Sequence, residues 1–342
     1  MPCMIQIGKL TIDAPFFQAG LAGYSDTAMR MVARKHGCPM CVTEAMLDQF
    51  LINGGKGLKA AEIDPQDHPI TGQLMGSAPE DIAQGCKILV GLGYDIIDVN
   101  LACPVKKIRK KARGGHLLQE PDAAIDILKA ARQAVGDDVP CTVKLRRSTD
   151  ETPESAANFH RIFQAVIDLG YAGAVVHGRS VDQKYNGPSR WSFLKELVDQ
   201  YGDTPNFIIG GSGDIWEAQD IFRMIQQTGV NIVSVARGCI GNPWIFQQAR
   251  ALMANPDADP AELAPTLDQQ CQVLLEHFEL SQKRHGERMA SMMMRKFGIK
   301  FSAHHPTPDS VRLAFIAVKS LSDWQKVLED FYVAANRSLV KS

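Results

Sequence analysis

Short apolar segments alternate with longer amphipathic segments over most of the chain. The apolar segments predict strands near Ala14–Ala19, Cys41–Glu44, Ile70–Met75, Asp95–Asn100, Thr142–Leu145, Gly173–His177, Phe207–Gly210 and Asn231–Ala236. Between them, apolar residues at helical spacing predict helices such as Asp26–His36, Pro79–Leu92, Pro121–Val135, Pro153–Leu169, Trp216–Thr228 and Pro243–Met253. Pro79 and Pro153 each precede an acidic residue, which is typical of a first helical turn. Repeated strand–helix units over about 250 residues predict an α/β protein with a (β/α)8 TIM barrel.

A doubly wound parallel sheet is the alternative to the barrel. It requires a glycine-rich dinucleotide-binding turn after the first strand. Gly20 and Gly23 follow that strand, but a third glycine and a ribose-binding acid are not in clear positions. The barrel is therefore the preferred prediction.

The alternation of predicted strands and helices ends after residue 254. The segment Asn255–Pro260 is polar and contains two prolines, as is typical of a linker. Beyond it, apolar residues at helical spacing continue through Leu267–His285, Arg288–Ser302 and Pro308–Val340. The sequence thus predicts a barrel domain over 1–254 and a small helical domain over 261–342. Basic residues of the helical domain form either a solvated face or a polyanion-binding surface; they are Lys283, Arg284, Arg288, Arg295, Lys296 and Lys300.

Composition narrows the function classes. The 342 residues are 45% hydrophobic and 22% charged, which is typical of a soluble globular protein. No apolar run is long enough for a transmembrane helix, and Met1–Gly8 lacks the features of a secretory signal. The eight cysteines are irregularly spaced, which fits the reducing cytoplasm, and Cys38 and Cys41 are expected to pack rather than to bind metal. Because the net charge is −1, any contact with nucleic acid must come from local patches.

Candidate chemistry is densest where the fourth predicted strand ends. Cys103 follows Asn100 and precedes Pro104, and a basic cluster follows at Lys106, Lys107, Arg109, Lys110, Lys111 and Arg113. A protonatable thiol beside cations that suit a phosphate backbone indicates proton chemistry on a group attached to nucleic acid. For this segment alone, an inert cysteine and a solvated charge run are the alternative.

Polar or glycine-rich residues also follow the other predicted strands, at the end of a barrel where active sites are built. These strand ends are Gly20–Asp26, Gln73, Asn100, Lys144, His177–Arg179, Gly211–Asp214 and Ala236–Gly238. The last two are typical of phosphate-binding loops, which use backbone N–H groups and an arginine. Lys144 lies in an apolar strand, so it needs either a barrel carboxylate or an anionic ligand such as a reduced flavin. Alone, His177 could equally be a core histidine. Together the strand ends predict a site for a phosphorylated planar cofactor.

These residues resemble the dihydrouridine synthase family, flavin enzymes that reduce specific uridines in transfer RNA. The resemblance runs from about Ala14 to Phe246, with a looser match through the helical tail. The motifs that carry it are Asn100–Pro104 with Lys106, Lys107, Leu117 and Leu118; Val143–Arg146; His177–Arg179 with Gln183, Tyr185, Gly187 and Trp191; Gly213–Ile215; and Ala236–Gly238 leading to Gly241–Phe246.

The resemblance assigns roles to individual residues. It implies that Cys103 is the catalytic general acid. It also implies contacts with FMN from Gly20, Leu21, Ala22, Gln73, Asn100, Lys144, His177, Ser212, Gly213, Asp214, Ala236 and Arg237. Of these, Lys144 would stabilise negative charge on the reduced flavin.

The resemblance also implies a reaction and its partners. NADPH (or NADH) would reduce the flavin, flavin N5 would pass hydride to C6 of a flipped-out uracil, and Cys103 would protonate C5 from the opposite side. The basic cluster and the helical domain would bind transfer RNA. A cytoplasmic monomer that uses neither membrane nor metal is expected.

The chain departs from the family pattern at a few positions. The family usually has proline and methionine at Gly20 and Leu21, glycine at Ala102 and Ala236, asparagine at Ser212 and arginine at Val181. Gly20 and Ser212 change side-chain contacts with the cofactor but keep backbone donors. Val181 removes a cation from a loop expected to face flavin phosphate or RNA, which bears on substrate affinity.

Two rival classes are a flavin barrel that acts on a free pyrimidine, of the dihydroorotate or dihydropyrimidine type, and a non-catalytic RNA-binding or chaperone barrel. The basic cluster after Cys103 and the basic tail favour an RNA substrate over a free base. The combination of Cys103 with Lys144 favours catalysis over binding alone.

Overall fold

The computed structural model describes residues 4–105 and 113–333, which form two compact units. The first unit contains residues 4–25 and 38–236, and the second contains residues 26–37 and 237–333. Residues 26–37 therefore group with the C-terminal helices although they follow the first barrel strand in the sequence. The predicted domain boundary between 254 and 261 stays a prediction.

The first unit contains the strands. They are β1 (Ile5–Ile7), β2 (Leu10–Ile12), β3 (Phe16–Gln18), β4 (Cys41–Val42), β5 (Met46–Leu47), β6 (Ile70–Met75), β7 (Ile96–Leu101), β8 (Cys141–Arg146), β9 (Gly173–His177), β10 (Ile208–Ser212) and β11 (Ile232–Val235). Parallel pairing runs in the order β3-β4-β6-β7-β8-β9-β10-β11, and β11 pairs back to β3, so eight strands close into a barrel. The short β5 adds to the end of β6. The predicted (β/α)8 barrel is confirmed, and each of its strands overlaps a predicted one.

The helices are α1 (Thr27–Lys35), α2 (Asp48–Ile52), α3 (Lys56–Ala61), α4 (Pro79–Gly91), α5 (Pro121–Val135), α6 (Pro153–Asp168), α7 (Trp191–Tyr201), α8 (Ala218–Thr228), α9 (Trp244–Ala254), α10 (Leu267–His285), α11 (Glu287–Phe301), α12 (Pro308–Ala317) and α13 (Leu321–Leu328). In the described residues, no helix is both long and apolar enough to span a membrane.

The predicted helical spacing of Pro308–Val340 corresponds to two helices, α12 and α13. Val318 has extended backbone angles, which end α12, and Ser320 begins α13 with a capping box in which its side chain accepts from the Asp323 N–H. A serine that satisfies these N–H groups starts a new helix rather than continuing the old one. Residues 334–340 of the prediction lie outside the described residues.

The barrel interior is apolar at the amino-terminal ends of its strands. There Ile7 and Ile12 of the β1–β2 hairpin join Phe17, Met40, Val42, Ile96, Ala172, Val175 and Ile232 in one core cluster. Full burial of such aliphatic or aromatic side chains stabilises the fold by about 1.5–3 kcal/mol each. The hairpin thus closes this end of the barrel, and polar side chains are left for the opposite end.

The second unit has its own aromatic core. Trp324 is 1% exposed and packs between the rings of Phe278 and Phe315, with centroids 5.4 and 4.9 Å away. A Cβ on Gly298 would lie 2.4 Å from the Phe315 ring, so only glycine allows α11 and α12 to approach this closely. The predicted helical segment at the C-terminus therefore forms a packed helical layer.

Candidate active site

Five predicted site residues occupy one face of five successive strands. Strand register pairs Asn100 with Lys144, and Ser212 with His177. Gln73 pairs with Asp98, two residues before Asn100, and Lys144 pairs with Val175, two residues before His177. Residues two apart on a strand share a face. That face is the interior, because Ile96 and Val175 on it belong to the core cluster. Gln73, Asn100, Lys144, His177 and Ser212 therefore point inward near the carboxyl ends of their strands.

The sequence prediction missed a carboxylate just below this layer. Asp98 is 5% exposed, and both of its oxygens accept hydrogen bonds. Thr142 Oγ1 donates to Oδ1 at 2.7 Å, and Gln73 Nε2 donates to Oδ2 at 2.9 Å. Asp98 lies two residues before Asn100 in β7, so the two side chains share the inward face. This alternation is the sequence signal that could have identified Asp98 as a site residue.

A chain of hydrogen bonds leads from Asp98 to the cysteine. Since a carboxylate only accepts, Gln73 must present its amide nitrogen to Asp98 and its Oε1 to Asn100, whose Nδ2 donates to it at 2.7 Å. Asn100 Oδ1 in turn accepts the backbone N–H groups of Ala102 and Cys103, at 3.0 and 3.1 Å. The orientation of both amides and the start of the Cys103 loop are therefore fixed from Asp98 outward.

Cys103 is partly exposed at the mouth of the barrel. Its carbonyl oxygen accepts the Gly115 N–H at 3.1 Å, so the chain returns to Cys103 after the basic cluster. Gly114 has φ +60°, and a Cβ there would lie 2.9 Å from Cys103 Cβ. Glycine is required by both features, since a side chain would displace the thiol. The cluster residues between 106 and 112 lie outside the described residues.

The charges of the site depend on one another. Burial raises the pKa of Asp98 to about 6, although hydrogen bonds from Thr142 and Gln73 and the charge of Lys144 oppose the increase. Burial, with repulsion from Arg146, lowers the pKa of Lys144 to about 7, and Asp98 acts against that decrease. No described residue forms a hydrogen bond or ion pair with the Lys144 ammonium group. Asp98 is therefore a barrel carboxylate whose charge acts on Lys144, and an anionic ligand for Lys144 stays a prediction.

The loops that follow β9 and β10 are joined by a buried ion pair. Arg179 donates to both Asp214 oxygens, at 2.7 and 2.8 Å, and Asp214 Oδ2 also accepts the Ser189 N–H. The carboxylate of Asp214 thus holds the two loops together. An Arg179 nitrogen lies 3.3 Å from His177 Nε2, and because arginine must donate, the His177 proton is on Nδ1.

Gly213 lies between these groups. With φ +112°, it has a conformation that favours glycine, and a Cβ would lie 2.4 Å from Ser189 Oγ and 2.6 Å from His177 Cδ2. The loop after β3 is similarly close: a Cβ on Gly20 would lie 2.1 Å from the Thr43 carbonyl oxygen. Both glycines are thus required where backbone and neighbouring side chains meet.

The remaining predicted cofactor residues differ in position. Leu21 N–H already donates to Ser25 Oγ at 2.8 Å, and Ala22 is exposed. Ala236 follows β11 in the first unit, whereas Arg237 starts a short 3-10 helix, Arg237–Cys239, in the second unit. The contacts of these residues with FMN stay predictions.

Three other predicted features have clear surroundings. Val181 is 5% exposed, and its side chain contacts the position a Gly115 Cβ would occupy, so it packs against the returning end of the Cys103 loop. Cys38 and Cys41 are buried with their sulfurs 3.8 Å apart. Among the described residues, no group of three or more His, Cys, Asp or Glu side chains could hold a metal ion.

The chain matches the family model of dihydrouridine synthases (Dus) over residues 17–336. It is 28% identical over 326 residues to a probable tRNA-dihydrouridine synthase 1 of Synechocystis, covering 95% of this chain and 88% of that one. It is 30% identical to tRNA-dihydrouridine synthase B of Pseudomonas aeruginosa, covering 86% of this chain and 85% of that one.

Solved structures share the fold at low sequence identity. Histamine dehydrogenase from Rhizobium sp. 4-9 aligns with a TM-score of 0.57 at 13% identity, covering 81% of this chain and 50% of that one. The 6-hydroxypseudooxynicotine amine oxidase of Pseudomonas geniculata N1 aligns with a TM-score of 0.58 at 12% identity, covering 72% and 48%. This chain spans about half the length of those structures. The family match covers nearly the whole chain, and the chain belongs to the dihydrouridine synthase family.

Proposed function

We propose that the chain reduces uridine in transfer RNA to 5,6-dihydrouridine, with FMN as cofactor, NADPH or NADH as reductant and Cys103 as general acid. The observation that carries the proposal is the hydrogen-bonded chain from Asp98 through Gln73 and Asn100 to the Cys103 backbone. This chain holds the Cys103 backbone at Asn100, whose strand partner is Lys144, and so supports a proton-donating thiol at this end of the barrel.

The described residues fit a planar anionic cofactor. The Lys144 ammonium has no described hydrogen-bond or ion-pair partner, so an anionic group above it would reduce the cost of its burial. The other inward groups comprise two amides, an imidazole with its proton on Nδ1, and a hydroxyl, which together suit the mixed donors and acceptors of a flavin ring edge. When bound, a reduced flavin supplies a hydride to C6 of the uracil ring.

Cys103 supplies the proton in this scheme. Its Sγ–H transfers the proton to uracil C5, so the thiol must be protonated before the reaction and re-protonated after it. Asn100 Oδ1 holds the N–H groups of Ala102 and Cys103, so the backbone that carries the thiol is in place before substrate arrives. Preorganisation of this kind removes part of the entropic barrier to proton transfer.

The second unit provides a surface suited to RNA. On α11, Arg288, Arg295 and Lys300 are exposed beside Met289 and Met292, which are 49% and 55% exposed. Arg288 and Arg295 are seven residues apart, so they lie on one helical face. Cations with adjacent apolar side chains can contact phosphates and unstacked bases, and the target uracil must leave its stack to react.

The described cysteines are free thiols, which supports a cytoplasmic setting.

A substrate comparison tests the proposal. The purified enzyme, with FMN and NADPH, is incubated in parallel with unmodified transfer RNA and with free uracil, and dihydro product is measured from each. Product from transfer RNA alone is expected. Product only from the free base would overturn the proposal and favour a free-pyrimidine reductase.

A further inference from the structure

Residues 113–115 lie beside Cys103. Gly115 N–H donates to the Cys103 carbonyl oxygen at 3.1 Å, and Gly114 is so close that an added Cβ would lie 2.9 Å from Cys103 Cβ and 3.2 Å from Met75 Sδ. Displacement of residues 113–115 would therefore move Cys103 directly.

Arg113 connects this segment to a buried anchor. Its Nη2 lies 3.4 Å from Oδ1 of Asp48, the first residue of α2, and its Nε lies 3.5 Å from Ser77 Oγ. The Asp48 side chain is 0% exposed and that of Arg113 is 13% exposed. Solvent thus screens this pair far less than it screens a surface pair.

Asp48 is itself tightly enclosed. Its Oδ1 accepts the Gln49 N–H at 2.7 Å, and its Oδ2 would lie 1.9 Å from a Cβ at Gly76. Only glycine at position 76 admits the carboxylate. Burial raises the pKa of Asp48, while the Gln49 N–H and the charge of Arg113 oppose that increase.

A buried ion pair contributes little net stability, because desolvation offsets most of the attraction between the charges. An apolar pair of similar size at positions 48 and 113 would stabilise the fold at least as well. The position of the pair, next to the glycines that contact Cys103, therefore indicates a role in geometry.

We propose that Asp48 and Arg113 are positioning residues for Cys103. Their ion pair holds residues 113–115, and Gly114 and Gly115 transmit that position to the thiol. This inference rests on the proposed function, in which Cys103 protonates the substrate. The pair acts only through residues 113–115, so binding of flavin in the barrel should not depend on it.

The test compares Arg113→Ala, Asp48→Asn and the double variant Asp48→Asn with Arg113→Met in the full-length, FMN-loaded enzyme. The double variant leaves no unpaired buried charge, so it stays informative if Arg113→Ala unfolds. Arg113→Lys is the conservative variant, and Arg161→Ala, which removes an exposed ion pair with Asp122, is the matched control. Three quantities are measured: flavin reduction by NADPH without RNA, single-turnover dihydrouridine formation, and the rate at which iodoacetamide alkylates Cys103, mapped by mass spectrometry.

The proposal expects dihydrouridine formation to fall by up to about 100-fold, the loss associated with a misplacement of about 1 Å. Flavin reduction stays at the wild-type rate, the alkylation rate rises severalfold, and Arg113→Lys recovers part of both. The double variant should be no worse than Arg113→Ala, because the two residues act as one unit. Wild-type product formation in the double variant would overturn the proposal, as would equal losses of flavin reduction and product with alkylation unchanged. If Cys103→Ala itself formed product normally, the proposed function would fail, whereas alkylation would still report whether the pair positions the thiol.

Discussion

Replacement of Asp98 by asparagine should make the protein more stable and less active. Burial raises the pKa of Asp98 from its ordinary 3.8 to about 6, so keeping the carboxylate charged at pH 7 costs the folded state about 3 kcal/mol. Asparagine is nearly isosteric and carries no charge. Its Oδ1 can still accept from Gln73 while its Nδ2 faces Thr142, so the cost of ionisation is removed and the packing is kept.

The pH dependence gives the sign of the effect. Between the unfolded pKa of 3.8 and the folded pKa of about 6, the folded state holds more protons at Asp98 than the unfolded state does. Ionisation of Asp98 therefore does not lower the wild-type free energy of unfolding below pH 3.8. The free energy of unfolding falls as pH rises from 3.8 through about 6, and the loss is constant above that pH. The advantage of Asp98→Asn should grow across the same interval. Lys144 loses its counter-charge, but its pKa of about 7 already makes it half neutral at pH 7, which limits the offset to a few tenths of a kcal/mol.

The assay is urea denaturation of the flavin-free protein, followed by circular dichroism, at pH 4, 5, 6, 7 and 8. The control is Asp138→Asn, which removes a carboxylate that is 98% exposed and should change stability by less than about 1 kcal/mol, because its ion pair with Lys9 is on the surface. The reasoning fails if Asp98→Asn is less stable than wild type at pH 7, or if its advantage is the same at pH 4 as at pH 7. In the enzyme, loss of the Asp98 charge should lower the pKa of Lys144 further. The alkaline limit of dihydrouridine formation should therefore move to lower pH.

Other predictions address the cysteine, the cofactor, the RNA and the loop ion pair. Cys103→Ala should bind flavin and be reduced by NADPH at the wild-type rate yet form no dihydrouridine, whereas Cys38→Ala should leave turnover unchanged because that thiol is buried. Arg237→Ala should lose the flavin absorbance of the purified protein. Joint replacement of Lys106, Lys107, Lys110 and Lys111 by glutamine should weaken transfer RNA binding and reduce its salt slope, as measured by filter binding, by about 0.7–0.9 for each phosphate that is no longer neutralised. Arg179→Ala should destabilise the protein by about 1.5–3 kcal/mol in urea, because Asp214 loses the Arg179 nitrogen that donates to both of its oxygens.

Each of these outcomes has a clear opposite. Wild-type turnover by Cys103→Ala would remove the thiol from the mechanism, and an Arg237→Ala protein with full absorbance would remove that residue from the cofactor site. An unchanged salt slope after the four lysine replacements would show that the RNA is bound elsewhere. A loss of stability below about 1 kcal/mol for Arg179→Ala would mean that Asp214 is solvated rather than buried against its partner.

The sequence by itself determined the fold class and most of the inward layer of the candidate site. A strand such as Gly173–His177 is recognisable because a parallel strand that is buried on both faces is apolar over most of its length. A barrel places the carboxyl ends of all its strands at one end, so Gln73, Asn100, Lys144 and His177 could be grouped from the sequence alone. The family motifs around Cys103 and His177 then selected one chemistry among many that this fold supports.

Hydrophobic periodicity predicted the structure less well where contacts between distant residues determine it. Helix α7 and the short strand β5 were not predicted, and the helical spacing of Pro308–Val340 did not reveal that Ser320 starts a new helix. Helix α1 follows the first barrel strand in sequence but belongs to the second compact unit, where Asp26 meets His285 at 2.9 Å. Grouping of this kind depends on contacts between distant residues, which hydrophobic periodicity does not encode.

Only the tertiary structure revealed how the site is held. Asp98 looked like one polar residue in an apolar strand, and its role follows from hydrogen bonds to Gln73 and Thr142 on the two flanking strands. Asp214 is engaged by Arg179, and Asp48 pairs with Arg113 across 65 positions of sequence. Hydrogen bonds and ion pairs act over a few ångströms in space, and the distance along the chain between partners is set by the topology of the barrel. A sequence pattern can therefore place a side chain on a face, whereas its partner is known only when the strands and loops are assembled.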